Sequence, residues 1–175
     1  MPTTAIAAAL GVSEPALFRH FPTKRALYLA TIDRSADTIL GHWQRIAARA
    51  PSALDALVEM GRWYFDELQS DSRHLRLRFR SCTEVGDPEI LEHVRRHFRA
   101  VFELVHRLFE SARAEGAIAQ DTDTRAHAWL FTAVGTLLDV TQIIGIREDL
   151  PLAGMPAIMT LIAPKPGRGI PLEET

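Results

Sequence analysis

The stretch LGVSEPALFRHFPTK, residues 10–24, carries the clearest structural signal in this chain. It follows a short apolar segment, residues 3–10, and leads into a long amphipathic one. Gly11 suits a turn that needs a positive φ. Ser13 can cap a helix by accepting a bond from an orphan backbone N–H, and Pro15 is tolerated in a first helical turn. A helix, a turn containing glycine and a short second helix together indicate a helix-turn-helix.

The segment also contains a recognisable sequence motif, IA-x-x-LGVS-x-x-x-LFxHF-x-x-K-x-x-L. The residues that carry it are Ile6, Ala7, Leu10, Gly11, Val12, Ser13, Leu17, Phe18, His20, Phe21, Lys24 and Leu27. In this pattern the chain resembles the tetracycline-repressor (TetR) family of bacterial transcription regulators. The match covers about the first thirty residues, and the remainder resembles the family in its layout of amphipathic helices. The resemblance implies an all-α regulator that binds double-stranded DNA.

The family's DNA-binding head has three helices, and the first of them would precede residues 3–10. The resemblance therefore implies that this chain lacks the first helix of the head, through a late start or a truncation. We expect the full-length parent to bind a palindromic site, and the chain as printed to bind DNA weakly or not at all.

The resemblance also implies which residues meet DNA, because the family's second short helix enters the major groove. By position, the candidates for base contacts are Thr4, Ser13, Glu14, Ala16 and Arg19, and the candidates for phosphate contacts are Thr3, His20 and Lys24. Arginine can bond guanine O6 and N7, and glutamate can accept from cytosine N4. A helical hairpin without a DNA-binding role is the alternative interpretation.

Composition narrows the class of protein. The formal net charge is −2, which is not that of a basic nucleic-acid binder, although residues 1–34 hold four basic and two acidic residues. Cys82 is the only cysteine, so no intramolecular disulfide can form, and we interpret it as a core residue. With no secretory signal at the start, we expect a cytoplasmic protein. The apolar segment 126–146 is interrupted by Asp139 and predicts a buried helix rather than a membrane span.

Three parts are expected along the chain: a truncated head at 1–34, a ligand-binding and dimerisation body at 35–163, and an irregular tail at 164–175. Apolar periodicity, caps and breakers predict the body's helices. They are expected at about 23–49, from 52 onward, from 87 to 116, at 123–145 and at 152–163. Residues 74–80, HLRLRFR, alternate as a strand would, but Leu75, Phe79 and Cys82 also form a helical stripe, and we favour a helix.

The last two predicted helices, 123–145 and 152–163, are apolar on most sides. Such helices need protein around most of their surface, and a chain of this length has too few other elements to cover both. A second copy of the same pair, forming a four-helix bundle about a two-fold axis, is the natural partner. We therefore predict a homodimer held by residues about 123–163, which the resemblance also implies.

Aromatic residues concentrate in the middle helices, where a few polar groups accompany them. Such a set can line an apolar cavity, although plain core packing is the alternative for any one of them. The resemblance implies an inducer there, so we expect a small apolar ligand. The candidate lining residues are Trp63, Tyr64, Phe79, Arg80, Phe98, Phe102 and Trp129.

Histidines at positions 93, 97 and 106 raise the question of a metal site, because His93 and His97 share a helix face. Neighbouring arginines would repel a cation, so we interpret these histidines as solvated and expect neither a metal nor another cofactor. Enzyme motifs are also missing from the sequence. The favoured function is a homodimeric, ligand-responsive DNA-binding regulator, most simply a repressor. The alternatives are a helical small-molecule sensor that does not bind DNA, and a helical enzyme that uses the cavity.

Overall fold

The computed structural model describes residues 2–70, 73–84 and 86–146, with the side chains of 68–70 and 73–75 excepted. Within these ranges the chain forms seven helices and no strand, which confirms the predicted all-α class. The helices are α1 (Thr3–Ala9), α2 (Glu14–His20), α3 (Lys24–Arg49), α4 (Ala53–Ser70), α5 (Arg73–Cys82), α6 (Pro88–Ala114) and α7 (Thr124–Ile144).

The head forms the helix-turn-helix that the sequence predicts. Gly11 has a φ of 67° in the turn between α1 and α2, a backbone angle that glycine adopts without steric cost. The Ser13 side chain caps α2 by accepting a hydrogen bond of 3.3 Å from the amide of Ala16. Ala7 of α1 and Leu17 of α2 are the buried residues of the two helices.

Helix α3 connects the head to the body without a break. It starts after Thr23, whose side chain accepts from the amide of Ala26, and continues for 26 residues. The predicted boundary at residue 34 therefore falls inside one continuous helix. Its buried face agrees with the predicted stripe, at Ile32, Ala36, Ile39, Trp43 and Ile46.

The main core lies where α3, α4, α6 and α7 meet. Asp87 and Pro88 start α6 as predicted, since the Asp87 side chain accepts from the amide of Ile90. The buried face of α6 changes along the helix, because its first half packs on α3 and α5 and its second half on α4 and α7. Phe98 consequently remains partly exposed, while Phe102 and Phe109 are buried.

Helix α7 is capped by Asp123 and ends at Gly145, which has a φ of 76°. By length and composition alone it could cross a membrane, as the core helix of a soluble protein also can. One side of α7 packs on α4, α5 and α6, while large apolar side chains on the other side are exposed, namely Trp129, Leu130, Leu137 and Ile144. The predicted helix 152–163 and tail 164–175 lie outside the described residues.

Residues 73–82 form helix α5, so the helical interpretation of this segment is confirmed. The expectation that Cys82 belongs to the core is wrong, because its side chain is exposed. Ser81, its neighbour, is buried. Successive residues in a helix point about 100° apart, so a helix that buries Ser81 turns Cys82 toward the surface.

Candidate nucleic-acid interface and inner cavity

The candidate DNA contacts divide into two groups in the head. Thr4, Arg19, His20 and Lys24 have exposed side chains. Arg19 and His20 occupy the last turn of α2, and Lys24 opens α3. These cationic or ionisable groups are therefore brought close together along the chain, on surface that a DNA backbone can reach.

The other candidates are engaged within the head itself. The Thr3 hydroxyl donates to Glu14 Oε1 at 2.6 Å across α1 and α2, and Ser13 is occupied as the cap of α2. Ala16 is half-buried. Base contacts from Glu14, or a phosphate contact from Thr3, would require this internal hydrogen bond to be exchanged for one with DNA.

Arg25, one residue after Lys24, connects the start of α3 to the start of α6. Its guanidinium donates to Asp87 Oδ1 at 2.6 Å and to Glu89 Oε2 at 2.8 Å. The hydrogen bond from Arg25 holds the pKa of Asp87 down at about 2. Because Arg25 is held by these carboxylates, its charge is not available for contact with DNA. Asp87 thus has a second role besides capping α6.

A second ionic contact joins the same two helices further along α3. Asp33 Oδ1 lies 2.7 Å from His93 Nδ1 and accepts from Arg96 Nη2 at 2.8 Å. These residues border a surface cleft of about 360 Å³ between α3 and α6. His93 is thus paired with a carboxylate, which corrects its interpretation as a merely solvated side chain. Among the described residues there is no cluster of three or more His, Cys, Asp or Glu that could hold a metal ion.

An inner cavity of about 40 Å³ lies between α3, α4, α5, α6 and α7. A buried water needs about 10–15 Å³ of such space, so the cavity has room for about three waters. Its walls are mostly apolar. They are formed by Ile39, Trp43, Tyr64, Arg78, His97, Phe98, Val101, Thr132, Gly135 and Thr136.

Two of the seven predicted lining residues, Tyr64 and Phe98, border this cavity. Trp63 instead stacks on the ring of His42, with the centroids 3.9 Å apart. Phe102 is buried in the main core and its ring lies 4.9 Å from that of Trp129. Phe79 is half-buried outside the cavity wall.

Arg80, another of the predicted lining residues, points away from the cavity. Its side chain is 77% exposed and lies 3.6 Å from Glu84 in an i, i+4 pair. Arg78 takes the inward position, because two residues along a helix correspond to about 200° of rotation. Asp139 was the signal in the sequence that could have identified Arg78. A lone carboxylate in an apolar helix needs a buried partner.

Arg78, Tyr64 and Asp139 form a polar triad at the cavity wall, in which Tyr64 and Asp139 are buried and Arg78 is partly buried. Arg78 Nη1 donates to Tyr64 Oη at 2.7 Å, and Tyr64 Oη donates to Asp139 Oδ1 at 2.6 Å. Arg78 Nη2 lies 3.4 Å from Asp139 Oδ2. Burial raises the pKa of Tyr64, so the phenol stays protonated and able to donate. The three residues connect α4, α5 and α7.

His97 separates the inner cavity from the outer cleft, since it lines both. Burial lowers its pKa to about 4, and the charge of Arg78 on α5 acts in the same direction. Asp33 on α3 opposes them by raising the pKa. Its other charged or titratable neighbours in the cleft are Asp37, His93 and Arg96. At neutral pH the imidazole of His97 is therefore uncharged.

This neutral histidine makes stability depend on pH. An unfolded histidine has a pKa of about 6.5, so between pH 6.5 and 4 the unfolded chain binds a proton that the folded chain does not. The free energy of unfolding then falls as the pH drops, by about 3 kcal/mol at pH 4 given about 1.36 kcal/mol per pKa unit. Urea unfolding at pH 7 and pH 4 measures it. In His97→Gln the dependence of the unfolding free energy on pH should be weaker by about one bound proton. An unchanged dependence would contradict the neutral, partly buried state of His97.

Comparison with known proteins agrees with this geometry. Residues 1–31 match the family of bacterial regulatory proteins described as the tetR family. The chain is 28% identical over 130 residues to the HTH-type transcriptional activator FasR of Mycolicibacterium smegmatis, a stretch that covers 74% of this chain and 55% of that protein. The chain thus spans about half the length of that relative.

Solved structures share the fold over nearly the whole chain. The MbdR regulator from Azoarcus sp. CIB superposes with a TM-score of 0.70 at 19% identity, covering 97% of this chain and 89% of that one. GusR of Salmonella enterica superposes with a TM-score of 0.72 at 21% identity, covering 93% of this chain and 82% of that one. The matched head resembles the DNA-binding part of the tetR family of bacterial regulatory proteins, and the rest of the chain shares its all-helical fold with solved regulators.

Proposed function

We propose that this protein is a homodimeric transcription regulator that binds a palindromic DNA site and responds to a small ligand held in its body. TetR-family proteins are DNA-binding regulators rather than enzymes. The observation that carries the proposal is the head, where a capped α2 follows a glycine turn and exposes Arg19 and His20 beside Lys24. The proposed division is a DNA-binding head at 1–34, a ligand-binding and dimerisation body at 35–163, and a tail at 164–175, in a cytoplasmic protein.

The dimer proposal rests on α7. Its exposed side carries Trp129 and Leu137, with exposed fractions of 61% and 54%. A contiguous exposed apolar face of this kind is typical of a protein interface, and a two-fold axis would bury the same face of both copies. In the dimer, the two heads would meet adjacent major grooves about one helical turn apart.

Ligand response would operate as a population shift between two spacings of the heads. The supporting observation is that α3 runs from the head into the wall of the inner cavity, and that α6, which also lines the cavity, is joined to α3 by Arg25 and by Asp33. The cavity of about 40 Å³ would have to open to accept more than a few atoms of ligand. A helical sensor without a DNA-binding role is the alternative, and the absence of any bound sequence after selection from random DNA with the full-length protein would favour it.

Repression and activation remain two candidate outcomes of DNA binding. We favour a repressor that its ligand releases from the operator. The relative FasR is named a transcriptional activator, which favours activation instead. In vitro transcription from a template that carries the selected site separates them, because a repressor lowers the yield of transcript and an activator raises it.

We predict different roles for Lys24 and Arg19 in DNA binding. Lys24→Ala should weaken binding to all sequences alike and reduce the salt slope by about one, because a phosphate contact releases a counterion. Arg19→Ala should cost about 1–3 kcal/mol and relax preference at one base pair. Fluorescence anisotropy with single-substitution operators, on the full-length protein, measures both. Equal, sequence-independent losses would show that Arg19 does not read a base.

A further inference from the structure

The inner cavity has a buried donor that finds no acceptor in the protein. Trp43 is 5% exposed and lines the cavity, and its indole Nε1–H has no hydrogen-bond partner among the described residues. A buried N–H without an acceptor destabilises the protein, because the loss of its hydrogen bonds to water is not compensated. An acceptor supplied by a ligand would relieve this destabilisation.

Arg78 adds further donors at the same wall. A guanidinium has five N–H groups and is always charged in proteins. Those of Arg78 reach Tyr64 through Nη1 and lie near Asp139 at Nη2. The contact of 3.4 Å with Asp139 Oδ2 is longer than the 2.7–2.9 Å or so of a close charge-assisted bond. The positive charge of Arg78 is thus only loosely compensated.

The remaining polar groups of the wall do not accept a hydrogen bond from the Trp43 indole N–H. The hydroxyls of Thr132 and Thr136 donate to backbone carbonyls of their own helix, at 2.9 and 3.0 Å. The Tyr64 hydroxyl donates to Asp139, and the neutral His97 offers one donor and one acceptor. The cavity therefore presents one donor without an acceptor among the described residues, the Trp43 indole N–H, beside the partly buried cation of Arg78.

We propose that the inner cavity binds the carboxylate of an apolar monocarboxylic acid, with its oxygens between Arg78 and the Trp43 indole N–H. This inference rests on the proposed ligand-binding role of the body and names the class of ligand. A carboxylate fits because it offers two charged acceptors to a planar guanidinium. A neutral carbonyl would satisfy one donor and leave the charge of Arg78 as it is.

The size of the cavity indicates how such a ligand lies. An apolar cavity of about 150 Å³ can hold benzene, whereas this one measures about 40 Å³. It accommodates a carboxylate and the first methylene groups, but not a ring. Phe98 borders the cavity and is 39% exposed, so the apolar chain of the ligand leaves past this side chain toward the surface.

Isothermal titration of the full chain with butyrate, hexanoate and octanoate tests the proposal, with octanamide and 1-octanol as controls matched in length. We expect octanoate to bind at least tenfold more tightly than either control, because charge-assisted hydrogen bonds are about twice as strong as neutral ones. Affinity should also rise with chain length. Equal binding of octanoate and octanamide, or no binding of any carboxylate, overturns the proposal.

Two variants assign the contacts. Trp43→Phe keeps the aromatic wall and removes the N–H, so octanoate should bind roughly tenfold more weakly while 1-octanol is unaffected. Arg78→Met combined with Asp139→Leu removes both charges of the pair and should abolish the preference for octanoate over 1-octanol. Trp43→Phe binding octanoate as tightly as the wild type contradicts the proposed geometry.

The DNA measurements separate this inference from the proposed function. If octanoate binds as described but leaves operator affinity unchanged, the carboxylate site stands and the regulatory role of the ligand fails. If the protein binds its operator but no carboxylate, the inference fails and DNA binding stands.

Discussion

Leu137→Glu is expected to turn the dimer into a folded monomer. Leu137 is exposed on α7 and takes no part in the core of its own subunit, so the substitution should leave the fold intact. In a two-fold interface it places two carboxylates in apolar surroundings. An uncompensated buried charge costs about 3–5 kcal/mol, so the dimer dissociation constant should rise at least a thousandfold, at about 1.4 kcal/mol per factor of ten.

Sedimentation equilibrium at micromolar concentration measures the change, and circular dichroism verifies that the helices remain. Ala48→Glu is the matched control, because it adds the same charge at an exposed position of α3 and should leave the dimer intact. A Leu137→Glu protein that remains dimeric, or a wild type that is monomeric, excludes α7 as the interface. Phe131 and Leu138 are unsuitable probes, since both lie inside the subunit core and a charge there would unfold the chain.

Local features of the structure were predictable from the sequence. Ser13, Asp87 and Asp123 cap the helices that follow them, because capping depends on neighbours within three residues. Gly11 and Gly145 adopt the positive φ values that breakers at helix ends commonly show. The helix-turn-helix was recognisable for the same reason, since its turn and caps are all local.

The candidate site was less predictable because it depends on how the helices are rotated against each other. Apolar spacing indicates that a helix is amphipathic, but α5 has arginines at 73, 76, 78 and 80, and spacing alone did not distinguish the one that points inward. Arg78 points inward because Asp139 and Tyr64, 61 and 14 residues away in sequence, meet it there. The exposed apolar face of α7, on which the proposed dimer rests, is similarly visible only once the inner face of the helix is known.

The charge balance of the polar triad gives the second large effect. Asp139→Leu should destabilise the protein by about 3–5 kcal/mol, because it leaves the partly buried guanidinium of Arg78 without its carboxylate. Arg78→Met should cost a similar amount, because Asp139, at 2% exposure, loses the guanidinium that compensates its charge. The double variant should be much less unstable than the sum of the two, since apolar replacement of a whole buried ion pair is often neutral.

A double-mutant cycle by urea unfolding tests this expectation, with equilibrium at pH 7 so that the titration of His97 does not contribute. Arg80→Met is the matched control, since Arg80 lies two residues away on the same helix with its side chain exposed, and its loss should change stability by less than about 0.5 kcal/mol. A coupling energy of at least about 2 kcal/mol between Arg78 and Asp139 would support the ionic pairing. Additive losses would mean instead that each side chain acts through its own packing. In that case the cavity would hold no loosely compensated cation, and the charge of Arg78 would give no reason to prefer an anionic ligand.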